Sequence, residues 1–206
     1  MNFQPDYKEI LGLASVSIVM VNHIYYLILT CLKRIRPHAF TLLVFFIVTI
    51  SVAVGIYFEG DTGAALRMGI PAPMYILMLV MTLRGGVEYI RKIDVIMLGL
   101  SLLAMPLWWL TDSPRAAILF LALVEGFGII PGFRKAYHLP YEDSVVSPMV
   151  SATAMLLAFL AVRDPLDSWA TAFYLAYWTI LCTLMAILIS WRRQVMRRNN
   201  GPALPL

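Results

Sequence analysis

The stretch Pro114-Arg-Ala-Ala-Ile-Leu-Phe-Leu-Ala-Leu-Val-Glu-Gly-Phe-Gly-Ile-Ile-Pro-Gly-Phe133 is apolar over nearly its whole length, and Glu125 is the one charge deep within it. At about 1.5 Å per residue a helix of this length crosses the roughly 30 Å of hydrocarbon in a bilayer. Six further blocks read the same way: Ile10–Leu32, Phe40–Phe58, Met68–Leu83, Val95–Leu110, Val145–Val162 and Trp169–Trp191. The block Met68–Leu83 is short and carries Pro71 and Pro73 near its start, so an earlier beginning and a bend are both open. Composition agrees with the block pattern. Of 206 residues 61% are hydrophobic and 14% charged, against roughly 25% charged in an ordinary soluble domain. The fold class expected is an all-α membrane protein of seven transmembrane helices.

The loops test that count independently, because Lys and Arg in short loops collect on the cytosolic side. Seven spans place Lys33, Arg34, Arg36, Arg84, Arg91, Lys92, Arg134, Lys135, Arg192, Arg193, Arg197 and Arg198 on one face. Only Lys8, Arg67, Arg115 and Arg163 fall on the other, which completes the sixteen. One span more or fewer scrambles this split. The N-terminus is therefore expected outside and the C-terminus in the cytosol. Asn2–Glu9 has no basic start, and no small-residue cleavage site precedes the Lys33–Arg36 run, so the first span is expected to be retained. The same charge distribution accounts for a pI near 9.2 without nucleic acid, which is not expected as a partner; the basic tail suits anionic headgroups of the bilayer.

Both halves of the chain contain a span, a basic turn, a proline and a further span, at Leu32–Thr41 and again at Phe133–Ser144. Spans one to three and five to seven thus read as two three-helix units, with the fourth as the crossing that restores parallel orientation. The boundaries expected are 1–86 for the first unit, 87–112 for the connector, 113–193 for the second unit and 194–206 for a basic cytosolic tail. The segments Arg36–Phe40, Leu107–Asp112 and Gly128–Ala136 resemble a family of bacterial membrane proteins related to the SWEET and PQ-loop transporters. The resemblance covers nearly the whole chain. It implies a 3+1+3 fold, a multi-pass protein of the bacterial inner membrane, and passage of small metabolites by alternating access. The relatives usually carry a proline where this chain has Tyr25 and an aspartate where it has Glu125.

Glu125 is the first residue singled out, since a central carboxylate costs roughly 2.5–3.5 kcal/mol on insertion scales. Two readings fit it: a proton carrier in a solute pathway, and a carboxyl hydrogen-bonded permanently to a neighbouring helix. Asn22 and His23 lie at comparable depth on the first span, where His23 either shares a proton with Glu125 or makes a structural interhelical bond. Tyr26, Trp108, Trp109, Tyr174, Tyr177 and Trp178 are candidates for stacking on a substrate ring, interfacial anchoring being the rival reading and the favoured one for Trp108 and Trp109. Gly128, Pro131 and Gly132 form the expected hinge, a static kink being the rival reading. Neither the two cysteines nor the three histidines have metal-ligand spacing, and no nucleophile–base pair or dinucleotide motif is visible, so no metal, cofactor or enzymatic activity is expected. The functions left are a small-metabolite transporter, proton-coupled through Glu125 if coupled at all, and a non-transporting structural or assembly subunit of a larger complex. A homo-oligomer or a partner subunit is compatible with either.

Overall fold

The computed structural model describes residues 7–58, 69–84, 90–110, 113–166 and 168–199. Among them the chain is all-helical: α1 Tyr7–Cys31, α2 Ala39–Phe58, α3 Ala72–Arg84, α4 Lys92–Trp109, α5 Pro114–His138, α6 Val146–Ala161 and α7 Trp169–Asn199, with a 3₁₀ turn at Pro140–Glu142. Three of them, α1, α5 from Arg115 and α7, are long and apolar enough to cross a membrane; α2 over Ala39–Val54, α3 and α6 are shorter apolar helices. The side chains of Trp108 and Trp109, together with Thr111, Asp112 and residues 200–206, lie outside the described set.

Local chemistry explains several of the helix ends. Pro71 and Pro73 start α3 rather than bend it: the Met74 and Tyr75 amides both donate to the Pro71 carbonyl, and prolines are tolerated in a first turn, where amide donors have no intrahelical partner. Ser113 caps α5, its hydroxyl accepting from the Ala116 amide at 3.4 Å, with Pro114 in the first position. The end of α1 closes in a Schellman motif, with Arg34 N–H on Leu29 C=O and Lys33 N–H on Thr30 C=O. Lys33 takes the left-handed conformation that this motif requires, at φ 56°. Two ends differ from expectation. The basic segment after Phe133 is the last turn of α5, not a loop, and the segment after Trp191 continues α7 as helix to Asn199.

Six helices close a ring. Within α1–α3, the third helix packs on both others, while α1 and α2 hardly meet; within α5–α7, α7 lies between α5 and α6 in the same way. Contacts of α1 with α6 and of α2 with α5 join the groups, so the order around the ring is α1, α3, α2, α5, α7, α6. The remaining helix, α4, packs mainly on the outside of α5.

The α1–α6 seam shows how the ring is held. All the buried residues of α1 are polar: Ser15, Asn22 and Thr30. Ser15 donates to the Ala154 carbonyl at 2.8 Å, and Asn22 Nδ2 donates to the Ser147 carbonyl at 3.0 Å and Ser151 Oγ at 2.8 Å. Ala154 is fully buried there, its small side chain letting the backbones approach. The outward face of α1 carries Ile10, Leu13, Val16, Val21, Ile24 and Ile28. This is the reverse of a helix in a water-soluble bundle, which turns its apolar stripe inward.

Candidate functional site

The ring interior is organised around Glu125, on α5. Its Oε2 accepts the Tyr174 hydroxyl at 2.6 Å and the Trp178 indole N–H at 2.8 Å. Tyr174 and Trp178 are four residues apart on α7, so both donors leave the same helix face and converge on one oxygen. Trp178 meets Phe45 of α2 edge to face at 5.6 Å between ring centroids, and Phe45 meets Tyr75 of α3 at 5.7 Å. The Tyr75 hydroxyl lies 2.7 Å from His23 Nε2, and His23 Nδ1 lies 2.8 Å from the Val19 carbonyl. A carbonyl only accepts, so Nδ1 carries a proton, and in the neutral ring Nε2 accepts from Tyr75.

His23 and Glu125 thus stand at opposite ends of one chain, His23, Tyr75, Phe45, Trp178 and Glu125, with contributions from five helices. Each has its own hydrogen-bond partner. The other residues marked in the sequence distribute elsewhere. Asn22 faces α6, its Oδ1 buried without a partner among the described residues. The Tyr26 hydroxyl donates to Asp143 Oδ1 at 2.9 Å, at the basic end of the ring. Tyr177, its ring 6.3 Å edge to face from that of Trp178, lines an outward groove between α5 and α7, and its hydroxyl occupies the space that a Cβ on Gly126 would need, at 2.3 Å.

The expected hinge lies where α5 is gripped by α2. A Cβ on Gly128 would fall 2.5 Å from Val44 Cγ1 and 2.9 Å from Val44 Cβ, and Val44 is itself buried. Thr41 Oγ1 donates to the Gly128 carbonyl at 2.8 Å, and Ser101 of α4 donates to the Val124 carbonyl at 2.9 Å. Pro131 has no amide to offer the carbonyl four residues back, so this turn of α5 has lost a helical bond. A Gly128→Ala change gains about 1 kcal/mol in helix propensity but overpacks a site with no free volume, at about 1–3 kcal/mol. The expected result is a net loss of up to about 2 kcal/mol in thermal unfolding of the detergent-solubilised protein. Adding Val44→Ala should recover most of it; an unchanged transition in the single variant would show that α2 and α5 slide apart freely.

The basic end holds a second polar cluster that the sequence reading missed. Asp94, in the first turn of α4, is 1% exposed and forks with the Arg134 guanidinium, with Nε to Oδ1 at 2.8 Å and Nη2 on Oδ2. Asp94 Oδ2 also accepts the Arg91 amide at 2.8 Å, which is half of a capping box, and lies 3.5 Å from His38 Nε2. Beside it the buried Lys135 ammonium donates to the Arg36 carbonyl and, at 3.3 Å, to the Glu142 carbonyl, while the Arg36 amide donates to Glu142 C=O at 2.9 Å. Arg193 of α7 completes the seal through the Pro140 and Asp143 carbonyls, at 3.0 and 2.6 Å. The α1–α2 turn is thereby tied to α5 and to the turn that follows it. The one signal in the sequence was an acid in a helix's first turn beside Arg91 and Lys92.

Burial holds His38 down at about 4, with Arg134 and Lys135 adding to the effect and Asp94 opposing it. The unfolded chain, with His38 near 6.5, binds the extra proton between about pH 6.5 and pH 4. Stability from this group is therefore complete above about pH 6.5 and is lost as pH falls to about 4. His38→Gln is expected to flatten the pH dependence of the melting temperature across that window; an unaltered slope would mean that His38 is protonated in the folded protein.

Comparison of the chain with protein-family models, with curated proteins and with solved structures finds no match.

Proposed function

We propose that the chain is a seven-span membrane transporter for a small metabolite, of the SWEET and PQ-loop type, with its N-terminus outside and its C-terminus in the cytosol. The ring of α1, α3, α2, α5, α7 and α6 encloses the pathway, α4 is the connector, and the two groups of three rock against each other. Glu125 is the proton-binding group. The observation that carries this reading is the Glu125 carboxyl inside the ring, held by Tyr174 and Trp178 and continued by aromatic rings to His23. The repeated packing order in the two groups supports paired units, and the outward apolar face of α1 supports a lipid surrounding. The aromatic surfaces favour a substrate with a ring or a flat apolar face. The Lys135 and Arg193 bonds give the basic end a closed state that alternating access must break.

Uptake into proteoliposomes tests the proposal: accumulation of at least one solute from a broad metabolite panel is expected, faster with an inward proton gradient than without. Absence of flux for the whole panel in both conditions counts against it. A second reading, a non-transporting assembly subunit, draws on the interlocked Gly128 and Val44, since a rigid α2–α5 seam resists rocking. Co-purification with a fixed stoichiometric partner, with no flux, would favour that reading.

A further inference from the structure

From the membrane-spanning placement proposed above, and independently of transport, we infer that the outer seam between α5 and α7 is a binding site for an anionic phospholipid. Between the two helices runs a groove of about 410 Å³, open on its outer side, a volume within the range of small-molecule sites. Its walls are apolar, formed by Leu123 and Ile130 on α5 and by Leu181 and Leu184 on α7, with the Tyr177 hydroxyl near one end. Leu123, Ile130 and Leu184 are roughly half exposed, so nothing among the described residues fills it.

What the groove leads to identifies the occupant. On α7, Leu181, Leu184, Leu188 and Arg192 follow at spacings of three and four residues and share a face; on α5, Tyr137 stands two turns beyond Ile130. The line therefore runs from the groove to Tyr137 and Arg192. There the Arg192 guanidinium lies 4.1 Å over the Tyr137 ring and donates through Nε to the Tyr137 carbonyl at 2.8 Å, with Trp191 tilted against Tyr137. Those contacts fix the fork in place and leave its terminal nitrogens without a hydrogen bond among the described residues. From Trp169 to the end of the chain there are four arginines and no acidic residue. A phosphate is the matching group. Leu184 to Leu181 lie roughly 12–16 Å along the helix from Arg192, about half the thickness of the hydrocarbon core. A lipid with its phosphate on Arg192 thus sends one acyl chain through its own leaflet into the groove, with the Tyr137 and Trp191 rings at the level of its headgroup. Zwitterionic lipids present a phosphate as well, but their ammonium group cancels the attraction, so the site selects net negative charge.

Native mass spectrometry of the full chain in detergent tests this, titrated with phosphatidylglycerol and with phosphatidylcholine of identical chains. At least tenfold tighter binding of phosphatidylglycerol is expected. Arg192→Gln should lower that preference at least fivefold, and Leu184→Phe, which fills the groove from an exposed position, should weaken both lipids; unchanged melting temperatures show that the variants are folded. Inorganic phosphate at millimolar concentration should not displace the lipid. Equal binding of the two lipids, undiminished binding by both variants, or a dimer that phosphatidylglycerol cannot share overturns the proposal. Recovery of the protein in the soluble fraction after alkaline extraction would remove the spanning placement and this site together. Membrane retention with no lipid preference overturns the lipid site alone.

Discussion

Under the proposed transport reading, Glu125→Gln is expected to abolish proton-driven uptake while leaving the fold in place. Glutamine keeps a carbonyl oxygen where the carboxyl Oε2 now accepts from Tyr174 and Trp178, so both donors retain a partner. What it removes is the capacity to gain and lose a proton. Gradient-driven uptake should fall to the level seen without a gradient, and the melting temperature should shift by no more than a neutral hydrogen bond is worth, about 1 kcal/mol. Glu125→Ala is the contrasting case. It strands a buried hydroxyl and an indole N–H, each at about 1–3 kcal/mol, and should lose stability as well as activity. If the glutamine variant accumulates solute against a gradient as the parent does, Glu125 is a packing group and the coupling belongs elsewhere.

How far this site could be read from sequence follows from what each residue does. Glu125 was legible because a lone carboxyl in a twenty-residue apolar stretch is conspicuous wherever the helix sits. The aromatic chain around it was not. Phe45 and Tyr75 are ordinary residues of apolar helices, and only the packing of α2 and α3 across the ring gives them a role. Tyr177 and Trp178 looked equivalent as neighbours in sequence, yet about 100° of helix rotation separates them, and one faces the ring while the other faces the outer groove. The helices were legible from block length, since each falls in an apolar run long enough for several helical turns. Their ends were less so. Arg134 and Lys135 looked like loop residues because they are charged, but each is paired within the last turn of α5, so the helix continues through them. Gly128 was read as part of a hinge in a turn where small residues permit close helix approach, and its missing side chain does let Val44 sit against the backbone. A glycine beside a proline suits either role, and only the neighbour decides.

The basic end yields the other large effect. Asp94→Ala removes the acceptor of a two-pronged Arg134 bond, the partner of the Arg91 amide and the charge beside His38. Breaking a buried ion pair from one side costs about 3–5 kcal/mol. Arg134 is 18% exposed and reaches some water once freed, so the expected loss is about 3 kcal/mol, the lower end of that range. Asp94→Asn keeps one acceptor and should cost about half as much. The pair term can be isolated by adding Arg134→Met, since a double variant that no longer buries a cation deprived of the Asp94 carboxylate should be more stable than Asp94→Ala alone. Acid separates the two partners of this cluster in pH. Burial pushes the Asp94 carboxyl up, but the Arg134 hydrogen bond, the Arg91 amide and the nearby charges outweigh it and hold the group below its ordinary value. Its contribution is therefore complete above the ordinary carboxylate range, near 4, and is lost only as pH falls through the lowered value. Melting curves of Asp94→Ala and the parent should converge at the acid end, below the window in which His38 acts. If they stay parallel down to pH 3, Asp94 acts through shape and capping rather than charge, and the seal at this end is held by Lys135 and Arg193.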